Sequence, residues 1–239
     1  RVPSWHGRAK WYESSIRKML TNEKYMGDAL LQKTYTVDFL SKKRADNTGQ
    51  VPQYYVEDSH PAIIDKEMWE AAQLEMKRRK AYVLQHGIQM FEYASLKKPF
   101  AGRVVCGLCG RAFGRRIWNS TDDRLRRVVW QCSAKYEVKG RKGCDNKHID
   151  DGVLYQGFVD VFNALVENKA YFMEKWQERL RSGNALERYK ARQFIDIIAD
   201  AGRIDNFDID LYCAFVEKTA VMGAPKNDCQ FAGRNGCRV

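Results

Sequence analysis

Cys106-Gly107-Leu108-Cys109-Gly110 constrains this chain more than any other feature. Two thiols separated by two residues present both sulfurs from one tight turn, and the following glycine tolerates the backbone that such a turn requires. Cys132 and Cys144 follow, so the pattern is C-x2-C, 22 residues, then C-x11-C. The 11-residue spacer is longer than the roughly two to four residues usual in such sites. Four thiolates form a closed tetrahedral zinc site that leaves no position for water or substrate. We therefore read one structural Zn2+ held by Cys106, Cys109, Cys132 and Cys144. Buried free thiols are one alternative. A redox C-x-x-C is the other, but that motif sits beside a βαβ unit, and the pattern here lacks one. His148 is read as a solvated or packed histidine, because four cysteines already fill the coordination sphere. Cys213 falls in an apolar helical pattern, and Cys229 and Cys237 have no ligand-like neighbours. Seven cysteines, an odd count, argue against a secreted disulfide framework.

Charge gathers around the same cysteines. The net charge is +11, yet residues 97–147 alone hold 14 Lys and Arg against 4 Asp and Glu. Residues 1–96 hold 15 against 12, and residues 148–239 hold 12 against 14. A basic excess confined to 51 residues is the distribution expected of a polyanion-binding surface. No apolar run approaches the roughly 18 residues of a membrane-spanning helix. The start at Arg1, with neither Met nor a signal-peptide pattern, suggests a piece of a longer protein, and membrane spanning and secretion are disfavoured.

The pattern along the chain is α+β. Residues 1–85 read as a small mixed α/β domain. Its first helix carries Trp11, Ile16, Met19 and Leu20, and a strand runs from Ala29 to Val37. A basic turn-rich loop spans 42–49 and includes Lys42, Lys43 and Arg44; Tyr54-Tyr55-Val56 is a returning strand. Asp65 caps a helix whose apolar side includes Met68, Trp69, Ala72 and Met76 and which ends in Lys77-Arg78-Arg79-Lys80. Those cations complement a helix C-terminus whether or not they also meet phosphate. Residues 86–97 read as a linker and residues 98–149 as a zinc β-ribbon. Within the ribbon, Phe113–Trp118 and Arg124–Cys132 form a hairpin that returns Cys132 to the knuckle. Alternation places Arg126, Val128 and Trp130 on one face and Arg127, Val129 and Gln131 on the other. Residues 150–239 read as a helical extension packed on the ribbon, with short strands at its end. Asp150 or Asp151 caps its first helix; 171–181 and 186–201 are further helices, and Asp208 caps another.

Two stretches together bring a family into view. Trp11, Ile16-Arg17-Lys18-Met19-Leu20-Thr21-Asn22-Glu23-Lys24-Tyr25-Met26-Gly27, His60-Pro61-Ala62-Ile63-Ile64 and Trp69 resemble the recombinase domain of large serine recombinases. Phe100-Ala101-Gly102-Arg103-Val104-Val105 and the cysteine quartet resemble the zinc β-ribbon that follows that domain. The resemblance covers about residues 1–165. It implies a bacterial, cytoplasmic, DNA-associated protein whose parent is a site-specific recombinase serving integration or excision of a mobile element. The partner it implies is double-stranded attachment-site DNA, bound by a dimer and synapsed by a tetramer. The family's catalytic serine lies in a Tyr-x-Arg-x-Ser context that this chain lacks, so the chain resembles the recognition half. The family's inserted coiled coil is not matched; the weak seam Phe172, Trp176, Leu180, Leu186, Ile197 and Ile198 suits ordinary packed helices. The chain alone is expected to be monomeric off DNA.

The candidate DNA contacts follow from the charge pattern. They are Arg115, Arg116, Arg124, Arg126 and Arg127 on the hairpin and Lys135, Lys139, Arg141 and Lys142 in the spacer. Lys42, Lys43, Arg44, Arg78 and Arg79 join them from the first domain. Arginine offers planar bidentate donors to phosphates and guanine edges, whereas loop lysines suit phosphates. The alternative is a zinc-stapled protein-interaction module whose basic face is only solvated.

Overall fold

The computed structural model describes residues 11–88 and 98–222, with the backbone of 229–233. Two compact units emerge, Arg1–Met76 and Lys77–Val239, and the division falls inside one long helix.

In the first unit, helix α1 (Glu13–Leu20) precedes a short 3-10 turn at Glu23–Met26 that Asn22 caps. The apolar residues expected on α1 are all solvent-exposed, and Trp11 precedes the helix. Gly27 takes φ +98°, and a Cβ there would lie 2.8 Å from the His60 carbonyl, so this turn requires glycine. The expected strand from Ala29 to Val37 is two strands, β1 (Ala29–Leu31) and β2 (Thr34–Asp38), broken at Gln32 with φ 57°. The expected loop at 42–49 contains a strand, β3 (Lys43–Asp46), antiparallel to β2. Its Lys-Arg-Ala-Asp sequence lacks apolar alternation because neither face is buried. Strand β4 (Tyr54–Val56) pairs with β1 as the sequence suggests. Asp65 does cap α2 (Lys66–His86), accepting from the Met68 amide at 2.7 Å. The buried residue of its first turns is Ala71, while Met68 is exposed.

Two carboxylates organise this unit. Asp28 accepts from the Tyr55 hydroxyl at 2.5 Å and from the Asp58 amide at 3.0 Å. The Tyr55 bond above all, then the Asp58 amide, holds the Asp28 carboxyl below the usual carboxylate range, and the same contact pushes Tyr55 up to about 12. Burial pushes Glu23 up, but Lys33 at 2.7 Å and the Leu30 amide at 3.0 Å outweigh it and bring it down. A carboxyl depressed in the folded state stabilises above its unfolded value and loses that contribution as pH falls through the folded one. The unit is therefore expected to destabilise below about pH 4, where unfolded carboxylates begin to protonate. NMR signals of Leu30 and Tyr55 followed from pH 7 to 3 measure this. Asp28→Asn should flatten the acid response and lower the melting temperature at neutral pH; an unchanged response would exclude the role.

The second unit has one core, built around Phe100. Strand β5 (Val104–Cys106) runs parallel to β9 (Val216–Val221), which pairs antiparallel with β10 (Cys229–Gly233). Strands β6 (Phe113–Trp118) and β7 (Arg127–Cys132) form the expected hairpin, and β8 (Ile149–Asp150) adds to β7. Helices α3 (Asp151–Glu167), α4 (Lys169–Ser182), α5 (Ala185–Ala199) and α6 (Ile209–Phe215) close over these sheets. Phe100 meets Trp130, Tyr155, Phe207 and Tyr212 at ring distances of 5.1–5.8 Å. The seam on α4 and α5 is ordinary packing: Trp176, Phe194 and Ile198 are buried in the shared core.

Several sequence expectations shift here. The helix α2 runs on to His86, which is buried, so 86–97 does not begin as a linker; residues 89–97 lie outside the described ones. Asp150 makes no side-chain cap. Asp151 instead accepts from the Trp130 indole at 2.7 Å, and Asn184 with Glu187 forms a capping box on α5. Asp208 caps α6 as expected, and Cys213 packs against the core. Cys237 and the side chain of Cys229 lie outside the described residues. Among the described residues no helix is long and apolar enough to cross a membrane.

Candidate metal centre and nucleic-acid interface

The four cysteines converge from three places in the chain. Cys106 ends β5, Cys109 follows in the knuckle turn, and Cys132 ends β7 opposite Phe113. Gly110, with φ 75°, lets the chain turn back, and its amide donates to the Cys106 carbonyl at 2.8 Å. Cys144 returns because the long spacer is clamped at its base: the Gly143 amide donates to Lys135 at 2.8 Å and the Cys144 amide to Ala134 at 3.3 Å. A Cβ on Gly143 would fall 2.1 Å from the Ala134 carbonyl, so this close approach needs glycine. The 11-residue spacing thus behaves as a short one.

All four sulfurs lie within 4.8 Å of one another, with Cys106–Cys144 at 3.6 Å and Cys109–Cys132 at 3.4 Å. Zinc–sulfur bonds of about 2.3 Å in a tetrahedron place sulfurs about 3.8 Å apart, so the quartet fits that ion. The four thiols are free rather than disulfide-bonded. Burial pushes the Cys106 thiol up, but the Asn146 side chain and the amides of Cys109 and Leu108 outweigh it and bring it down to about 7. Such donors suit a metal-bound thiolate. Burial, then the neighbouring Cys109 thiol, pushes Cys132 up; Cys144 is also raised, mainly by burial. His148 is not among the converging ligands; its ring lies tilted against Trp118, with centroids 4.2 Å apart.

Two supporting residues escaped the sequence reading. Asn146, buried, donates to Cys106 Sγ at 3.1 Å and to the Val221 carbonyl at 2.8 Å, tying the centre to β9. His86, at the end of α2, bonds the Gly110 carbonyl at 2.5 Å through Nδ1. An Asn two residues after a cysteine was the only signal for the first; the second had none.

The basic residues divide by position. Arg116 and Arg127 share one face of the hairpin with Trp118, and the Arg127 guanidinium lies 4.9 Å from that ring centroid. Arg115 stands on the opposite face beside Trp130. Residues 119–126 form a turn-rich tip, with Arg124 donating its amide to Asp122 and Arg126 lying 3.6 Å from Asp123. Arg124 and Arg126 therefore do not belong to β7, whose first residue is Arg127, and the expected strand alternation does not reach them. Val129 and Trp130 are both buried although they point to opposite faces; β7 is the central strand between β6 and β8, and Trp130 packs into the core. Lys139 and Arg141 are exposed, and Lys142 pairs with Asp145 at 2.5 Å. Lys135 reaches inward to the Asn146 carbonyl at 3.0 Å, and Arg78 pairs with Glu217; both serve the fold. Lys42, Lys43, Arg44 and Arg79 are exposed.

This geometry defines a zinc-ribbon protein with a basic hairpin. The family description "Recombinase" matches residues 3–79, and "Recombinase zinc beta ribbon domain" matches residues 99–163. A Bacillus subtilis (strain 168) protein named "Putative DNA recombinase" is 22% identical over 186 residues, covering 74% of this chain and 35% of that protein. The chain thus spans about a third of this relative. The crystal structure of an LSR–DNA complex shares the fold, with a TM-score of 0.51 and 15% identity over 96% of this chain and 78% of the other. The chain belongs to the large serine recombinase family and carries its recombinase and zinc β-ribbon domains.

Proposed function

We propose that this chain is the duplex-DNA recognition region of a site-specific serine recombinase, acting at attachment sites during integration or excision of a mobile element. One observation carries the reading: a four-thiol centre anchors a two-stranded hairpin that exposes Arg116 and Arg127 on one face and Arg124 and Arg126 at its tip. A β-ribbon of this kind fits the major groove, where arginine reads guanine. The family and the LSR–DNA structure support the same assignment. One zinc ion, held by Cys106, Cys109, Cys132 and Cys144, supplies a crosslink and no chemistry. Arg115, Arg116, Arg126 or Arg127 contributes base readout. Lys139, Arg141 and Lys142, with Lys42, Lys43, Arg44 and Arg79, grip phosphates. The setting is the bacterial cytoplasm; the chain is monomeric off DNA, and its parent dimerises on a site and tetramerises in synapsis.

The test uses a duplex enriched by the chain from a randomised pool, and a scrambled copy. Arg116→Ala or Arg127→Ala should cost about 1–3 kcal/mol on the enriched duplex and relax selectivity at one position. Lys139→Ala should weaken both duplexes alike and lower the salt slope by about one. If the hairpin variants lose equally on both duplexes, the hairpin only grips the backbone and base readout lies in the first unit.

A further inference from the structure

The β2–β3 hairpin carries a feature that metal and basic ribbon leave unexplained. Phe39 and Leu40, adjacent at its tip, are 88% and 91% exposed. Isolated exposed apolar residues are ordinary, whereas here two lie side by side on a turn and are displayed almost fully to solvent. The tip is also pre-organised. Asp38 accepts from the Leu40 amide at 3.0 Å and the Ser41 amide at 3.2 Å, and Lys42 takes φ 54° to complete the turn.

The base of the hairpin is equally held. Buried Asn47 donates to the Gln32 and Val51 carbonyls at 2.9 and 2.7 Å and accepts from the Gly49 and Val51 amides. Among the described residues β2 and β3 pair only with each other, so the hairpin stands as a two-stranded projection. Its cations follow the apolar pair after one serine, Ser41: Lys42, Lys43 and Arg44 are exposed, and Arg44 also reaches Thr34 across the strands at 2.7 Å. The nearest acid, Asp38, is occupied by the turn's own amides.

An apolar pair bordered by three cations complements a ligand with apolar faces stacked between lines of negative charge. Duplex DNA is that ligand, and Phe and Leu are among the side chains that wedge between base steps and kink the helix. We propose that Phe39 and Leu40 insert between base pairs of the bound duplex and bend it, while Lys42, Lys43 and Arg44 hold the flanking phosphates. The inference rests on the DNA-recognition reading above. A fixed tip favours this use, since a wedge that is already ordered loses little freedom on entering the stack.

The experiment compares the full chain with a Phe39→Ala/Leu40→Ala variant on the enriched duplex. The duplex carries a fluorescent dye at each end and 2-aminopurine at successive steps. Both positions are exposed, so the variant keeps its fold, which circular dichroism checks. The wild type should shorten the end-to-end distance and brighten 2-aminopurine at one step. The variant should bind at least about tenfold more weakly, leave the duplex straight and keep the same salt slope. Lys42→Ala/Lys43→Ala should instead lower the slope by about two and retain the bend. A wild-type complex with straight DNA overturns the wedge, as does a variant that bends it equally. So does a variant whose only change is loss of self-association in sedimentation, which would make the tip a protein contact. A wild type that binds no duplex in a salt-dependent manner defeats the recognition reading itself, and is distinguished by that lack of binding.

Discussion

Replacing Cys106 by Ser is expected to abolish zinc binding and dissolve the ribbon. The four sulfurs join the end of β5, the knuckle, the end of β7 and the base of the spacer at one point. Apparent zinc-binding free energies in small ribbons and fingers are on the order of 10–16 kcal/mol, comparable with the whole stability of a domain. A missing ligand removes much of that and leaves the buried Cys132 and the half-buried Cys144 without their ion. The near-ultraviolet dichroism of buried Trp130 should collapse, and the helical signal should fall with it, because ribbon and helices share one core. Metal analysis of the reduced wild type should return one zinc per chain. A wild type without zinc, or a Cys106→Ser chain with intact Trp130 dichroism, would contradict the assignment.

Phe100→Ala should destabilise the second unit by about 3–5 kcal/mol, the range for removing a large aromatic from a closed core. Phe100 is fully buried among Trp130 of the hairpin, Tyr155 of α3, Phe207 and Tyr212 of α6. The ring therefore belongs to the ribbon and to the helices at once. The parallel β5–β9 pairing and the Asn146 bridge point the same way. We expect a melting temperature lower by on the order of 10 °C, with helix loss and zinc release moving together. Separate transitions, with only the ribbon shifted, would show that the ribbon folds alone.

Local patterns were legible in the sequence and distant ones were not. The quartet, the β6–β7 hairpin and the helices declare themselves through spacing and periodicity, which nearby residues set. Strand β9 lies some 110 residues beyond β5, and no local pattern marks that pairing. The capping role of Asn184 was readable from Glu187 three residues on, yet the stretch reads first as a turn. Strand β3 escaped because its side chains face water on both sides and so show no alternation. At the candidate site the ligands were legible, whereas their supports were not, since Asn146 and His86 act through bonds to backbone or sulfur distant in the chain. The arginines were recognised by type, but their division into face, tip and loop depends on where β7 begins.

The most direct measurement is the affinity of the zinc-loaded chain for the enriched duplex, titrated from 50 to 200 mM salt. Contact with roughly six to ten phosphates releases that many counterions, so affinity should fall by on the order of 10³–10⁵, linearly in logarithmic coordinates. The Cys106→Ser chain should lose most of this binding with its hairpin. A wild-type affinity that barely changes over this range would contradict DNA recognition and favour a protein partner for the zinc-stapled hairpin.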